Sequence, residues 1–438
     1  MRDQSLVYTL DEALSTIRFG KFQGLVLAYA GLGWTTEAME VMILSFVGPT
    51  VQSVWGLSSS EESMITTVVF AGMLIGAFLW GFVSDTYGRK KSFLGATILS
   101  TGAGFLSAFS PNYIVLLILR CLVGIGLGGG HVFTTWFLEF VPSPNRGTWM
   151  IIFSSFWTLG TIFEASLAWF AICILVTSLK MIRLVLIRLI EAIVMPGLGW
   201  RWLLALSSLP SFVVLLLYGC TPESPRYLCA KGRTSEAHDV LEKAARLNQT
   251  ELPPGRLVSD SIMDLNDDFA SPASTHLLSS FRKKTQDSET SPSSLFILFS
   301  PKLIRTTFLL WFLYFANTFS YYGIILLTSQ LSSGHNECTS IPMLLKNNGD
   351  ADLYVDVFIT SLAEIPGLVL SAFIVDRVGR KLSMAIMFAF GFVLLLPLVI
   401  HQQETLTTTS LFGARMFVSA TFIVACIYAP EVHVFISS

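Results

Sequence analysis

Four glutamates stand inside long apolar runs of this chain: Glu37, Glu40, Glu164 and Glu364. Two arginines, Arg120 and Arg415, do the same. In a lipid bilayer an isolated charge is costly, so such residues mark ion pairs, proton paths or solute sites. Glu37 and Glu40 are three residues apart and share one helix face. Near the membrane midplane they would attract a cation or carry a proton; at an outer mouth they would simply be solvated. Glu164 and Glu364 are proton-path candidates or helix–helix hydrogen-bonding partners. Tyr314, Asn317 and Tyr321 recur at helical spacing and offer hydrogen bonds and ring faces. Cation–π contact would suit a quaternary ammonium and stacking a nicotinate-like ring, while the same stripe could serve packing alone. Arg120 would be paired or would snorkel to the interface. His131 would shuttle protons or, more ordinarily, sit satisfied in the core.

The elements that must hold these residues follow from composition. The chain has 438 residues, 53% hydrophobic and only 13% charged, with a mean hydropathy of +0.64. A soluble domain carries about 25% charged residues. The apolar residues are blocked into ten segments: 22–48, 66–84, 92–109, 113–138, 148–172, 202–220, 306–328, 355–375, 382–400 and 409–429. Each is of the length that crosses a bilayer as a helix, the conformation that satisfies its own backbone there. The expected class is an all-α polytopic membrane protein. A soluble enzyme, a disordered scaffold and a secreted disulfide protein are excluded, and a net charge of −2 gives no support to a nucleic-acid partner. Four of the six cysteines (Cys121, Cys173, Cys220, Cys426) fall in apolar runs, as small core residues do. No metal site, no cofactor and no enzymatic activity are expected, because no Walker loop, kinase signature, H-E-x-x-H or nucleophile elbow is present.

Lysine and arginine are concentrated on one side of this pattern. With the N-terminus inside, 21 of the 28 fall in inner stretches, among them Lys90, Lys91 and Lys381. The segment 172–194, with Lys180, Arg183, Arg188 and Glu191, breaks the pattern and reads as an interfacial helix or an insertion. An extra crossing there would put every later basic loop outside. The region 221–305, rich in Ser, Pro, Asp and Lys, reads as a cytoplasmic linker with a short helix near Ser235–Leu247. Residues 1–220 and 306–438 would be the two membrane halves it joins. Asn248-Gln249-Thr250 fits the glycosylation pattern, which a cytoplasmic position would leave unmodified.

An internal repeat ties the two halves together. Gly81-Phe-Val-Ser-Asp85-Thr-Tyr-Gly88-Arg89-Lys90-Lys91 follows the second segment, and Ala372-Phe-Ile-Val-Asp376-Arg377-Val-Gly379-Arg380-Lys381 follows the eighth. The aspartates are 291 residues apart, Arg120 and Arg415 are 295 apart, and Glu139 and Glu431 are 292 apart. Three landmarks in one order at nearly one offset mark a duplicated membrane unit. The same stretch after Arg120 also fits G-x-G-x-x-G (Gly124, Gly126, Gly129), but no strand precedes it, so a dinucleotide site is not expected.

The loop G-x-x-x-D-R-x-G-R-K resembles the signature loop of the major facilitator superfamily, from which this sequence departs by Thr86 in the place of Arg. Arg120-x-x-x-Gly124-x-Gly126-x-Gly128 is similar to that superfamily's fourth-helix motif. Pro222-Glu223-Ser224-Pro225-Arg226, with Glu139 and Arg146-Gly147, resembles its sugar-porter and organic-ion branch. The Glu37-x-x-Glu40 first helix and the Phe315–Gln330 seventh helix look most like plant organic cation/carnitine transporters, relatives of nicotinate transporters and synaptic vesicle two-related proteins.

The resemblance implies two six-helix repeats and a solute site near the midplane between them. It implies that Gly81, Asp85, Gly88 and Arg89, with Asp376, Arg377, Gly379 and Arg380, latch the two halves. Glu139 with Arg146, Glu223 with Arg226, and Glu431 would be matching charge-relay positions, alongside Arg120 and Arg415. The repeat offset carries the counterpart of Glu223 past Ser438, so the second repeat is expected to be incomplete, with about ten helices in place of twelve. The implied function is secondary transport of a small organic cation, carnitine-like or nicotinate-like solute by alternating access, with proton symport. The bilayer and the solute are the expected partners; oligomeric state is left open. A sugar porter, a non-transporting membrane scaffold or vesicle protein, and an inactive truncated isoform are the alternatives. The expected location is a plasma membrane or an internal membrane.

Overall fold

The computed structural model describes residues 7–142, 146–181, 198–258, 304–334, 355–399 and 404–437. Its N-terminal arm is a short strand β1 (Val7–Tyr8) leading into α1 (Leu10–Ile17), which Thr9 and Glu12 cap reciprocally. The first crossing is broken. α2 (Lys21–Met42) passes through Ile43 into α3 (Leu44–Trp55), whose interior contains Pro49. Proline has no N–H to return to the preceding turn, so α3 is the deformable part of this crossing.

Next come α4 (Ser59–Tyr87), α5 (Arg89–Ser107), α6 (Tyr113–Leu127) and α7 (Gly130–Leu138), the last two forming one crossing. α8 (Arg146–Met181), α9 (Leu198–Ser207) and α10 (Leu209–Leu217) follow. Two helices outside the bundle, α11 (Pro225–Ala230) and α12 (Thr234–Asn248), precede strand β2 (Arg256–Leu257). α13 (Ile304–Gly334), a helical stretch over 355–362, α14 (Glu364–Val378), α15 (Arg380–Leu395) and α16 (Glu404–Ser437) are the remaining described α-helices.

Eight described helices are long and apolar enough to cross a membrane, from Ser59–Tyr87 to Thr405–Tyr428. They coincide with eight of the ten expected segments. The other two, 22–48 and 92–109, fold as α2–α3 and α5. α2 is buried against protein along most of its length, Gln23, Thr36 and Glu40 included, so it needs less lipid-compatible surface than its neighbours. The segment 172–194 begins as a continuation of α8 to Met181. Its remainder lies outside the described residues.

Part of the expected linker is folded. β2 pairs in parallel with β1, Val7 opposite Arg256, and α12 packs beside α1 and the start of α2. The Asn248 side chain accepts the Phe22 N–H at 2.9 Å and donates to Gln23 Oε1 at 2.7 Å. A residue that fits a glycosylation pattern is therefore spent on satisfying the first turn of α2. Residues 259–303 lie outside the described residues.

The N-terminal helices touch backbone to backbone. A Cβ at Gly124 of α6 would meet the Val69 carbonyl of α4, and one at Gly72 would meet the Cys121 carbonyl. Only glycine permits that approach, which brings helices into the close van der Waals contact that drives association in lipid. Gly124→Val should therefore force α4 and α6 apart and cost about 1–3 kcal/mol. Thermal unfolding in detergent micelles should show a lowered midpoint. Gly102→Ala, where nothing lies within 4 Å of the added carbon, should leave the midpoint unchanged or slightly raised.

Candidate functional site

The crossing that contains Glu364 is broken at Ala363, and α14 begins at Glu364 with Pro366 in its first turn. The acid thus sits in the first turn of a helix, where the dipole favours negative charge. Arg415 of α16 donates through Nη2 at 2.7 Å and through Nε at 3.0 Å to Glu364 Oε1. Tyr321 of α13 donates its hydroxyl to the same oxygen at 2.7 Å. Both charged side chains are 1% exposed.

This pair is held from the N-terminal side as well. Thr161 of α8 donates to Glu364 Oε2 at 3.2 Å, and Trp157 Nε1 donates to the Tyr321 hydroxyl at 2.7 Å. Arg415 Nη2 also reaches Met42 Sδ, 3.8 Å away, at the α2–α3 break. Glu364 and Tyr321 border a cavity of about 30 Å³, whose other walls include Trp34, Trp157, Ser154, Ser419 and Phe422. That is room for a water-sized group, with aromatic faces, hydroxyls and one carboxylate around it.

A second pair lies wholly among the N-terminal helices. Arg120 of α6 contacts Glu40 of α2 at 3.4 Å and also bonds Ser107 Oγ and the Gly104 carbonyl of α5. Glu164 of α8 accepts from Ser207 Oγ at 2.7 and 2.8 Å and lies within electrostatic reach of Glu40. The Glu37 carboxyl packs on the backbone of Gly130, at the start of α7.

The signature loop builds a third cluster at the basic end of the bundle. Arg89 bridges Asp85 at 2.8 Å and Glu139 at 3.1 Å. Burial pushes the Glu139 carboxyl above its ordinary range, and the Arg89 guanidinium opposes that push. Gly88 has φ +106° and lies so close to the Glu223 carboxylate that a Cβ would collide with it. Glu223 does not take Arg226. It accepts the backbone N–H of Lys90 at 3.1 Å and of Ser224 at 3.0 Å, and so caps the start of α5. Arg226 turns to Asp11 at 2.7 Å, with Arg146 3.8 Å from the same carboxylate. Arg146 thus shares Asp11 with Arg226, where Glu139 was its expected partner.

Of the stripe on α13, all three members face α16: Tyr314 bonds the Ala425 carbonyl, Asn317 accepts from Thr421, and Tyr321 stacks on Phe422 while its hydroxyl reaches Glu364 of α14. Tyr321 alone of these borders the cavity. His131 is exposed on α7, against the satisfied core position expected of it. Gly81 has open space around it, and Gly379 repeats the left-handed φ of Gly88 at +87°. Arg377 is exposed and Arg380 opens α15, while the side chains of Asp376 and Glu431 lie outside those described. Sequence reasoning did not single out Asp11, Trp157 or Thr161, nor Glu62 and Gln330, which bond each other at 2.9 Å. None of the five carried a usable sequence signal: Glu62, buried in the fold, stands in a polar helix start, Ser58–Ser63, that reads as solvated.

A family model described as "Sugar (and other) transporter" matches residues 30–433. The chain is 52% identical over 443 residues to organic cation/carnitine transporter 7 of Arabidopsis thaliana, covering 99% of this chain and 84% of that one. It is 37% identical to a synaptic vesicle 2-related protein of Xenopus laevis, over 97% of this chain and 70% of that one. The xylose transporter XylE of E. coli, in a partially occluded inward-open conformation, superposes with a TM-score of 0.60 at 17% identity, covering 95% of this chain and 89% of that one. That likeness concerns the fold.

Glu364→Ala should strand Arg415 in the bundle and cost about 3–5 kcal/mol, the penalty of breaking a buried ion pair from one side. The double variant Glu364→Ala/Arg415→Leu should recover much of that loss. Thermal unfolding of both in detergent, read as a double-mutant cycle, checks the pairing.

Proposed function

Because this chain belongs to the sugar (and other) transporter family of the major facilitator superfamily, and is thus a membrane transporter, we propose that it carries a small quaternary-ammonium solute of the organic cation/carnitine type by alternating access, coupled to protons. The observation that carries this reading is Glu364: an acid beside an aromatic-lined cavity, hydrogen-bonded at once to Arg415 and to Thr161. Trp34, Trp157, Tyr321 and Phe422 offer ring faces to a quaternary ammonium, and the carboxylate offers its charge.

The charge balance of the buried groups supports a cation. Glu37, Glu40, Glu164 and Glu364 outnumber Arg120 and Arg415 by two. Carboxylates buried without a partner are costly unless a bound cation or a proton neutralises them. A cation arriving at Glu364 competes with Arg415 and disturbs the hydrogen bond from Thr161, so solute binding acts directly on a contact between the two sets of helices. The Arabidopsis relative, named for organic cations and carnitine, supports the same substrate class. The basic loops favour a cytoplasmic N-terminus in a plasma membrane or an internal membrane.

Uptake of labelled carnitine into proteoliposomes, with and without an inward proton gradient, tests this reading. Uptake stimulated by the gradient and reduced at least about tenfold by Glu364→Gln, with folding retained, is the expected outcome. Accumulation of nicotinate or of a sugar in place of carnitine would reassign the substrate. Uptake indifferent to the gradient would remove the proton.

A further inference from the structure

At the end of the bundle remote from the basic loops, α3 and α4 meet α13. An apolar layer closes this end: Met42, Ile43, Phe46 and Val47 pack with Ile324 and Ile325, and Phe70 lies 5.0 Å from Tyr322. At the edge of this layer Gln330 Nε2, from an exposed residue of α13, donates to Glu62 Oε1 of α4 at 2.9 Å. Glu62 is only 6% exposed. Its carboxyl rests on Gly48 of α3, where an added Cβ would stand 3.2 Å from Oε1. Pro49 follows at once, so the surface beneath the acid is the deformable half of the first crossing. Glu61 of the same turn is already used, capping Ser58 through its carboxylate, and it is exposed.

We propose that Glu62 is the gate residue of this remote mouth and the first buried carboxylate that a cation entering there meets. The inference rests on the cationic substrate proposed above and adds a residue and a side of entry to it. The geometry gives two states. In the closed state one neutral amide from α13 occupies the carboxylate, and the apolar layer shields it. Opening the mouth separates α3 and α4 from α13, which must break the Glu62–Gln330 bond. The carboxylate, favoured by its place in the first turn of α4, then faces the aqueous entrance uncompensated. A negative group at a narrow, low-dielectric entrance concentrates cations and raises their rate of entry. When the mouth closes behind the solute, Gln330 takes the carboxylate back. The cation is thereby released inward toward Glu364, which borders the cavity on the basic-loop side of this layer.

Two variants separate recruitment from latching. Glu62→Gln removes the charge and retains a side chain able to pair with Gln330. In vesicles of defined orientation, KM for a cationic solute presented at the remote face should rise roughly tenfold, with kcat within a factor of two. KM at the basic-loop face should stay unchanged while kcat from that face falls in proportion, because the gradients fix the ratio of kcat/KM at the two faces, and the dependence on ionic strength at the remote face should flatten. An equal rise of KM at both faces, or at neither, would overturn recruitment. Gln330→Ala keeps the charge and removes the latch. With the native cysteines replaced by serine, Val51→Cys on α3 should react several times faster with a membrane-impermeant maleimide when Gln330→Ala is present. Unchanged labelling would overturn the latch. Labelling needs no substrate, so a wild-type protein that takes up no cation would sink the substrate reading and with it recruitment, and would leave the latch decided by its own measurement.

Discussion

A charge inside a bilayer requires a partner, and the way Arg415 finds one organises this molecule. Arg120 and Arg415 occupy repeat-related positions, yet their acids come from unrelated places. Glu40 lies in the first crossing of the N-terminal helices, whereas Glu364 lies at the break in the second crossing of the C-terminal ones. Arg120 is enclosed by α2, α5 and α6, so its pair fastens one group of helices to itself. Glu364 is reached by Thr161 from across the interface, and Tyr321, which also bonds it, is reached by Trp157. The duplication therefore produced one internal staple and one shared contact. That asymmetry gives the two pairs different work: the first keeps a body rigid, and the second is where two bodies meet.

The same division appears in the packing. Glycine lets the backbones of α4 and α6 touch, and such contacts leave no slack for sliding. Between the N-terminal and C-terminal helices the contacts are made by side chains instead. Aromatic pairs such as Trp157–Tyr321 and Phe70–Tyr322 lie there, with a few hydrogen bonds to carboxylates. Side-chain contacts of this kind can be exchanged without remaking a helix, whereas the glycine seams cannot. At the basic end, Arg89, Glu139, Glu223 and Asp11 tie α4, α5, α7 and the N-terminal arm into a single unit. All of these ties lie among the N-terminal helices and the arm, so they stiffen a moving part without locking it to the other.

The membrane class, the repeat and the buried charges were legible in the sequence because each rests on residue types that a bilayer tolerates only for a reason. The partners were not, because pairing is decided by which helices pack, and that is a long-range property. Glu223 and Arg226 are three residues apart and read as a pair; the fold turns one to the N-terminus of α5 and the other to Asp11. Asp11 lies in an amphipathic arm that looks like any solvated helix until α11 and α12 are placed beside it. Asn248 illustrates the same limit, since a three-residue pattern cannot tell a surface loop from a helix cap. Glu62 escaped notice because Ser58–Ser63 reads as an ordinary polar helix start, which it also is.

The N-terminal helices hold three of the intramembrane acids and one arginine, while the C-terminal helices hold one acid and one arginine, so the imbalance is confined to one side of the interface. A cation lodged between them is drawn toward the N-terminal helices by net charge, and toward Glu364 by proximity to the cavity. Displacing Arg415 from Glu364 would leave a guanidinium with the Met42 sulfur as its remaining contact across the interface, a poor substitute for a carboxylate. That arrangement costs energy for as long as the solute stays. On the proposed reading the solute and Arg415 would compete for one acid, and the state with both satisfied would require a second carboxylate from the N-terminal side. Glu164 and Glu40 lie there, one held by a serine and one by Arg120. On the proposed reading the surplus is two charges, so a proton on one of them and a cation at Glu364 would together remove it, which would couple the two without any direct contact between them.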